Sequence, residues 1–146
     1  MTEEQPAPAA TIPEGVRSLL DKPVFVHLST LRRSGAPRNW VVWAGREDGH
    51  VLICTDESNR KAKDMRRDPR VGLSFVDPAN SYHVALIEGR VVEVRPDPDC
   101  RYMDPISIKY TGAPFPHRAP DRICLVIEAM TVRERTLGFT HDPQSG

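Results

Sequence analysis

The sixteen residues from Thr55 to Arg70, TDESNRKAKDMRRDPR, follow directly on the apolar run Val51-Leu52-Ile53-Cys54 and combine types that hold an anion. An apolar strand ending in a polar turn, with Ser58 or Asp56 as N-cap and helix formers behind it, sets free backbone N–H groups at the top of a sheet. Negative charge is favoured there. Arg60 and Lys61 fall in the first helical turn, where the helix macrodipole prefers carboxylates, so their placement is locally costly unless an anion binds nearby. From Ser58 to Arg70 six basic residues stand against two acidic ones, in a chain of zero formal net charge. Such an excess in a neutral chain points to one localised anion, a phosphate or carboxylate, more than to adhesion along nucleic acid or membrane. A solvated helix face is the competing interpretation.

Other chemistries leave no trace in the sequence. There is no G-x-S-x-G elbow, no G-x-G-x-x-G fingerprint and no carboxylate pair placed for acid–base work. Cys54, Cys100 and Cys124 are odd in number and lack a C-x-x-C pair, so they are expected as reduced thiols. His27, His50, His83, His117 and His141 lack metal-ligand spacing, and no metal site is expected.

The elements that must position the basic segment belong to a chain of 146 residues, the size of one domain. Residues 1–12, rich in Glu, Pro and Ala, are expected to be a disordered leader, residues 13–136 the folded domain and residues 137–146 a flexible tail. No apolar stretch approaches the roughly 20 residues of a membrane helix. A soluble, cytoplasmic protein without membrane insertion is expected.

A short helix should begin after Pro13 and present Val16, Leu19 and Leu20 before Pro23 stops it. Strands are expected over Val24 to Leu31, Arg38 to Ala44 and Val51 to Thr55, joined by Gly35 and Asp48-Gly49 turns into an antiparallel meander. Val71 to Val76 and Tyr82 to about Val94 follow, the latter with a bulge or close backbone approach at Glu88-Gly89-Arg90. A helix from near Asp97 to Lys109 is expected, with Pro105 as an obstacle, then a proline-stiffened loop from Thr111 to Pro120. Arg122 to Val132 is the last strand. Roughly six hairpin-connected strands with two or three small helices suggest a mainly β, antiparallel barrel.

Four segments in order carry a family resemblance: Thr30 to Pro37 entering Val41-Val42-Trp43; Thr55 through Lys61 and on to Arg67-Asp68-Pro69-Arg70-Val71; Tyr82 to Gly89-Arg90-Val91; and Lys109-Tyr110-Thr111-Gly112 before Arg122. From Pro13 to about Thr136 the chain resembles the pyridoxamine 5'-phosphate oxidase-like split β-barrel family, in its small coenzyme F420 (deazaflavin)-dependent branch. The resemblance implies a homodimer with a flavin or deazaflavin in a groove between subunits. It implies that Asn39, Trp40, Val41 and Val42 run along the ring system, and that Thr55, Ser58, Arg60 and Lys61 hold the cofactor phosphate. Tyr82 is a further cofactor contact on the same grounds. Two positions depart from the family pattern: His83 follows Tyr82 where Arg is common, and Asp64 stands where Asn is.

FMN and coenzyme F420 both bring a tricyclic ring and a phosphate, and only F420 continues into an acidic lactyl-oligoglutamate tail. Lys63, Arg66, Arg67, Arg32 and Arg33 could meet that tail, and with the Lys109 to Gly112 segment they favour F420, FMN being the alternative. The function implied is an F420-dependent reductase passing a hydride to a small conjugated or quinone-like substrate. An FMN oxidase or reductase of the same fold and a non-catalytic flavin or F420 carrier are the alternatives, and nucleic acid is not an expected partner. The hydride chemistry would belong to the cofactor. Tyr110, His117 and His83 are the side chains that could supply a proton.

Overall fold

A computed structural model describes residues 8–138. Along the chain come α1 (Glu14–Leu20), β1 (Val26–Leu31), β2 (Pro37–Val42), β3 (Gly45–Glu47), β4 (His50–Asp56), α2 (Arg60–Arg67), β5 (Arg70–Asp77), β6 (Asn80–Pro96), α3 (Met103–Thr111) and β7 (Arg122–Thr136). The seven strands form one antiparallel sheet in the order β2-β1-β5-β6-β7-β4-β3. Its two edge strands are consecutive in sequence, with only Trp43 and Ala44 between them. A flat sheet of this size would hold its edges roughly 29 Å apart, whereas two linking residues reach about 10 Å. The sheet therefore curls until β2 and β3 approach, without pairing to each other: a split barrel. The simple meander expected from the sequence is corrected here, because the β3–β4 hairpin leaves β1–β2 and docks on β7 at the far side of the sheet.

Alternation along β4 and β7 produces two cores. Val51, Ile53, Ile123, Leu125 and Ile127 join Leu28, Leu73, Phe75 and the α1 residues Val16, Leu19 and Leu20 in the main cluster. Leu52, Cys124 and Val126, pointing the other way, pack under α3 with Cys100, Met103 and Ile106. Both faces of β7 are thus covered, which accounts for its unbroken apolar run. Burying each such aliphatic side chain contributes roughly 1.5–3 kcal/mol.

The expected leader and tail fall partly outside the described residues, at 1–7 and 139–146. The end of the leader is corrected: the Ala10 N–H donates to Ala129 O at 2.8 Å and Ile12 is buried in the main core. The third helix is corrected too. It starts at Met103, and Asp97 caps it from outside, its carboxylate accepting the N–H groups of Tyr102 (3.0 Å) and Met103 (3.1 Å). Pro105 sits in the first turn, where its missing N–H would have had no helical partner. At Gly89 a Cβ would lie 2.9 Å from Glu128 O, and the β6–β7 register shifts beside it, as the Glu88-Gly89-Arg90 pattern suggested.

Candidate functional site

The start of α2 is built against the inner face of β1 and β2. Asn59 is the N-cap, its Oδ1 accepting from the Lys61 N–H at 3.2 Å, which corrects the expected Ser58 or Asp56 cap. Asp56 is unavailable because it pairs across the sheet with Arg122. The first turn of α2 carries no acidic residue. Lys61 Nζ donates to Asn59 Oδ1 at 3.0 Å and lies 5.0 Å above the Trp40 ring. Burial pushes its pKa down, with Asp56 only partly opposing the shift. The ammonium is held half-buried without a carboxylate in contact among the described residues.

Beneath it lies a network no sequence pattern announced. Trp40 Nε1 donates to Thr30 Oγ1 at 3.0 Å, and that hydroxyl donates to Asp64 Oδ2 at 2.8 Å. Asp64 is 1% exposed; Arg67 donates to its other oxygen at 3.2 Å, and Arg38 Nε lies 3.0 Å away. Burial would raise its pKa, yet the Thr30 and Arg67 hydrogen bonds and the Arg38 charge outweigh that and hold it below the ordinary carboxylate value. Asp64 therefore anchors α2 to β1 and β2 and sets where Lys61 can stand.

A pocket of about 340 Å³ opens beside this anchor. Val41, Val42 and Trp43 form one wall, Cys54, Thr55 and Asp56 of β4 another, and Asn59 and Lys61 the α2 end; Met103, Phe115 and Arg122 close it. Arg122, 6% exposed, donates from Nη1 to Asp56 Oδ1 at 3.1 Å, and the Phe115 ring lies 4.5 Å from its guanidinium carbon. Its Nε is buried and has no hydrogen-bond partner among the described residues. An acid-free helix start, a desolvated lysine and an arginine lining one cavity fit an oxyanion.

Of the residues expected to bind the cofactor, Val41, Val42, Thr55 and Lys61 line this pocket, and Trp40 lies under Lys61. Ser58, Arg60 and Lys63 are exposed and are not among the pocket's walls. Asn39 points outward instead, into a separate groove with His27, Ser29 and Gly72. Tyr82 and His83 are not among the pocket's walls. His83 is held between Glu134 (2.8 Å) and Asp77 (3.3 Å), and Tyr82 O accepts from Leu137 N–H. His117 is exposed, edge-on to Phe115 at 5.6 Å. The Tyr110 hydroxyl donates to Val24 O, accepts from Ala44 N–H at 3.2 Å, and its ring stacks on Trp43 at 5.0 Å. His83 and the Tyr110 hydroxyl are thus engaged elsewhere, whereas the His117 ring packs against Phe115, a wall of the pocket. Arg66 pairs with Glu57 and Arg67 with Asp64 and Leu31 O, whereas Lys63, Arg32 and Arg33 form no ion pair among the described residues. Arg122, Asn59 and Asp64 are the contributors that sequence reasoning missed.

The fold and the chain have known counterparts. A solved structure named F420 reductase matches with a TM-score of 0.77 and 26% identity over 84% of this chain and 98% of that one. A conserved hypothetical protein from Mycobacterium tuberculosis shares the fold, with a TM-score of 0.73 and 22% identity over 96% of each chain. A pyridoxine/pyridoxamine 5'-phosphate oxidase from Chromobacterium violaceum is 29% identical over 85 residues, 58% of this chain but only 39% of that protein. The family model for pyridoxamine 5'-phosphate oxidase matches residues 12–136, every strand and helix included, and the chain belongs to that family.

Proposed function

We propose that the protein is an oxidoreductase that binds coenzyme F420 through the pocket between β2, β4, α2 and β7 and acts on a small conjugated or quinone-like substrate. The observation that carries this reading is the meeting of Lys61, Arg122 and the acid-free first turn of α2 at one cavity. When bound, the reduced cofactor supplies the hydride. The chain's own part is to bind and orient. Lys61, the α2 N-terminus and Thr55 hold the phosphate, with Ser58 and Arg60 at its approach. The exposed outer edge of β2, where Val41 is 63% exposed, offers backbone and an apolar surface for the ring. Lys63, Arg32 and Arg33 are the cations left for an acidic tail. Asn39 and the exposed Phe25, Val76 and Leu86 lie on the outer side of the sheet, which supports a homodimer whose partner completes the site. Tyr110 is assigned to holding α3, since both roles of its hydroxyl are already filled.

One observation favours FMN as the second reading. Arg66 is paired with Glu57 and Arg67 with Asp64, which leaves both less available to a polyanionic tail. Fluorescence titration of the purified protein with FMN and with coenzyme F420 separates the two. F420 binding is expected to be the tighter. Tight FMN binding without F420 binding overturns the first reading in favour of the second, and binding of neither overturns both.

A further inference from the structure

We infer that Asp104 is a positioning residue for the pocket: it latches the segment between α3 and β7 and sets Phe115 as a wall that must lift for a ligand's ring to enter or leave. The inference rests on the proposed function only for which ligand the pocket holds; the latch itself stands on α3 and the segment it fastens.

Gly112 ends α3 in the left-handed conformation, at φ 82°, and turns the chain into residues 113–121, with proline at 114, 116 and 120. The two ends of this segment are pinned to the frame. The buried Ser107 hydroxyl donates to Ala113 O at 2.8 Å, and the Arg122 N–H donates to Ala119 O at 3.2 Å. Between them Phe115 is half-buried while Pro114, Pro116 and His117 are exposed, and its ring reaches the pocket, 4.5 Å from the Arg122 guanidinium carbon. Asp104 holds it there through both carboxylate oxygens. Oδ1 accepts the Phe115 N–H at 3.0 Å, and Oδ2 accepts from Arg118, whose other terminal nitrogen donates to Phe115 O at 2.7 Å. One carboxylate and one guanidinium thus fasten both backbone groups of a single residue, the one that carries the pocket wall. The next tie along the segment, from Cys100 Sγ to His117 O at 3.5 Å, is a weak thiol bond. The Arg118 and Asp104 side chains are 46% and 25% exposed, so water and salt screen their attraction. A fastening specific in geometry and modest in strength keeps Phe115 in place and still lets it lift.

Arg118→Gln is the primary test variant, because Asp104 also sits in the first turn of α3, where a carboxylate suits the helix dipole. In the full chain, exchange of the Phe115 N–H, read by 15N NMR, should be about threefold faster in Arg118→Gln while the buried Leu125 N–H exchanges as before. Release of whichever of FMN or coenzyme F420 binds, followed by stopped-flow fluorescence, should speed by the same factor, and by about tenfold in Asp104→Ala. Phe115→Ala should release as fast as Asp104→Ala, and adding Arg118→Gln to it should change nothing more, since Asp104 and Arg118 act through that ring. Faster Phe115 exchange in a protein that binds neither FMN nor F420 upholds the latch and contradicts the cofactor reading. Unchanged Phe115 exchange in Arg118→Gln overturns the inference, as does unchanged cofactor release, or a further acceleration by Arg118→Gln in the Phe115→Ala background.

Discussion

Lys61 and Lys109 look alike locally and do opposite work. Each is half-buried, each lies 5.0 Å above an aromatic ring, Trp40 and Tyr110, and burial depresses the pKa of both, that of Lys109 to about 8. Lys109 donates to two backbone carbonyls, Leu20 O at 2.7 Å and Ala44 O, and so rivets α3 to the end of α1 and to the β2–β3 link. Lys61 donates to a single side-chain oxygen, that of its own helix cap, and borders an open pocket. A buried cation whose donors end on carbonyls is part of the frame. One that borders a cavity, with a second cationic side chain on its wall, is a position for a ligand.

The comparison breaks first if the frame under Lys61 is removed. Asp64→Ala strips a buried carboxylate from Arg38, Arg67 and Thr30 and is expected to destabilise by about 3–5 kcal/mol, read by urea denaturation. Asp64→Asn keeps an acceptor for Thr30 and should cost less. Next in size, Lys109→Met should leave two carbonyls unpaired and lower stability by about 2–3 kcal/mol while cofactor affinity holds. Loss of cofactor affinity in that variant would erase the distinction between the lysines. Lys61→Ala should reverse the pattern, weakening cofactor binding by about 1–3 kcal/mol with less than about 1 kcal/mol of stability lost.

The smallest effect lies away from both lysines. The hydrogen bond to Glu134, helped by Asp77 against the cost of burial, raises the His83 pKa above its ordinary 6.5. A group raised in the folded state adds stability that is complete below the unfolded pKa and is lost as pH rises through the folded one. Stability should therefore decline as pH climbs from about 6.5 upward, and His83→Gln should flatten that part of a melting-temperature profile. Cofactor affinity in His83→Gln should not change, since His83 is no wall of the pocket.

What could be read in advance was what the chain states locally. Pro13 and the Val16, Leu19, Leu20 spacing marked α1, Asp48-Gly49 marked the β3–β4 hairpin, and Gly89 marked the bulge. The basic start of α2 marked the proposed anion site because it opposes the helix dipole over a short stretch. The remainder depends on register between distant segments. Arg122 becomes a pocket residue only because it falls opposite Asp56, 66 positions away. Asp64 becomes an anchor only when β1 brings Thr30 beneath it. Cys54 and Cys124, remote in sequence, are directly opposed on β4 and β7, where their mutual contact and burial push the Cys54 thiol pKa up and keep it unreactive. Arg66 and Arg67 looked free in the sequence for the same reason, since their carboxylate partners depend on how the helix turns and docks.

The central claim is that Lys61 belongs to a ligand site and Lys109 to the frame. Titrating Lys61→Ala and Lys109→Met side by side with whichever of coenzyme F420 or FMN the unmodified protein binds, and melting both variants under the same conditions, tests it most directly. The account predicts that Lys61→Ala loses about tenfold or more in affinity at a nearly unchanged melting temperature, and that Lys109→Met melts earlier with its affinity intact. Unchanged affinity in Lys61→Ala, or the same loss of affinity in both variants, would contradict it.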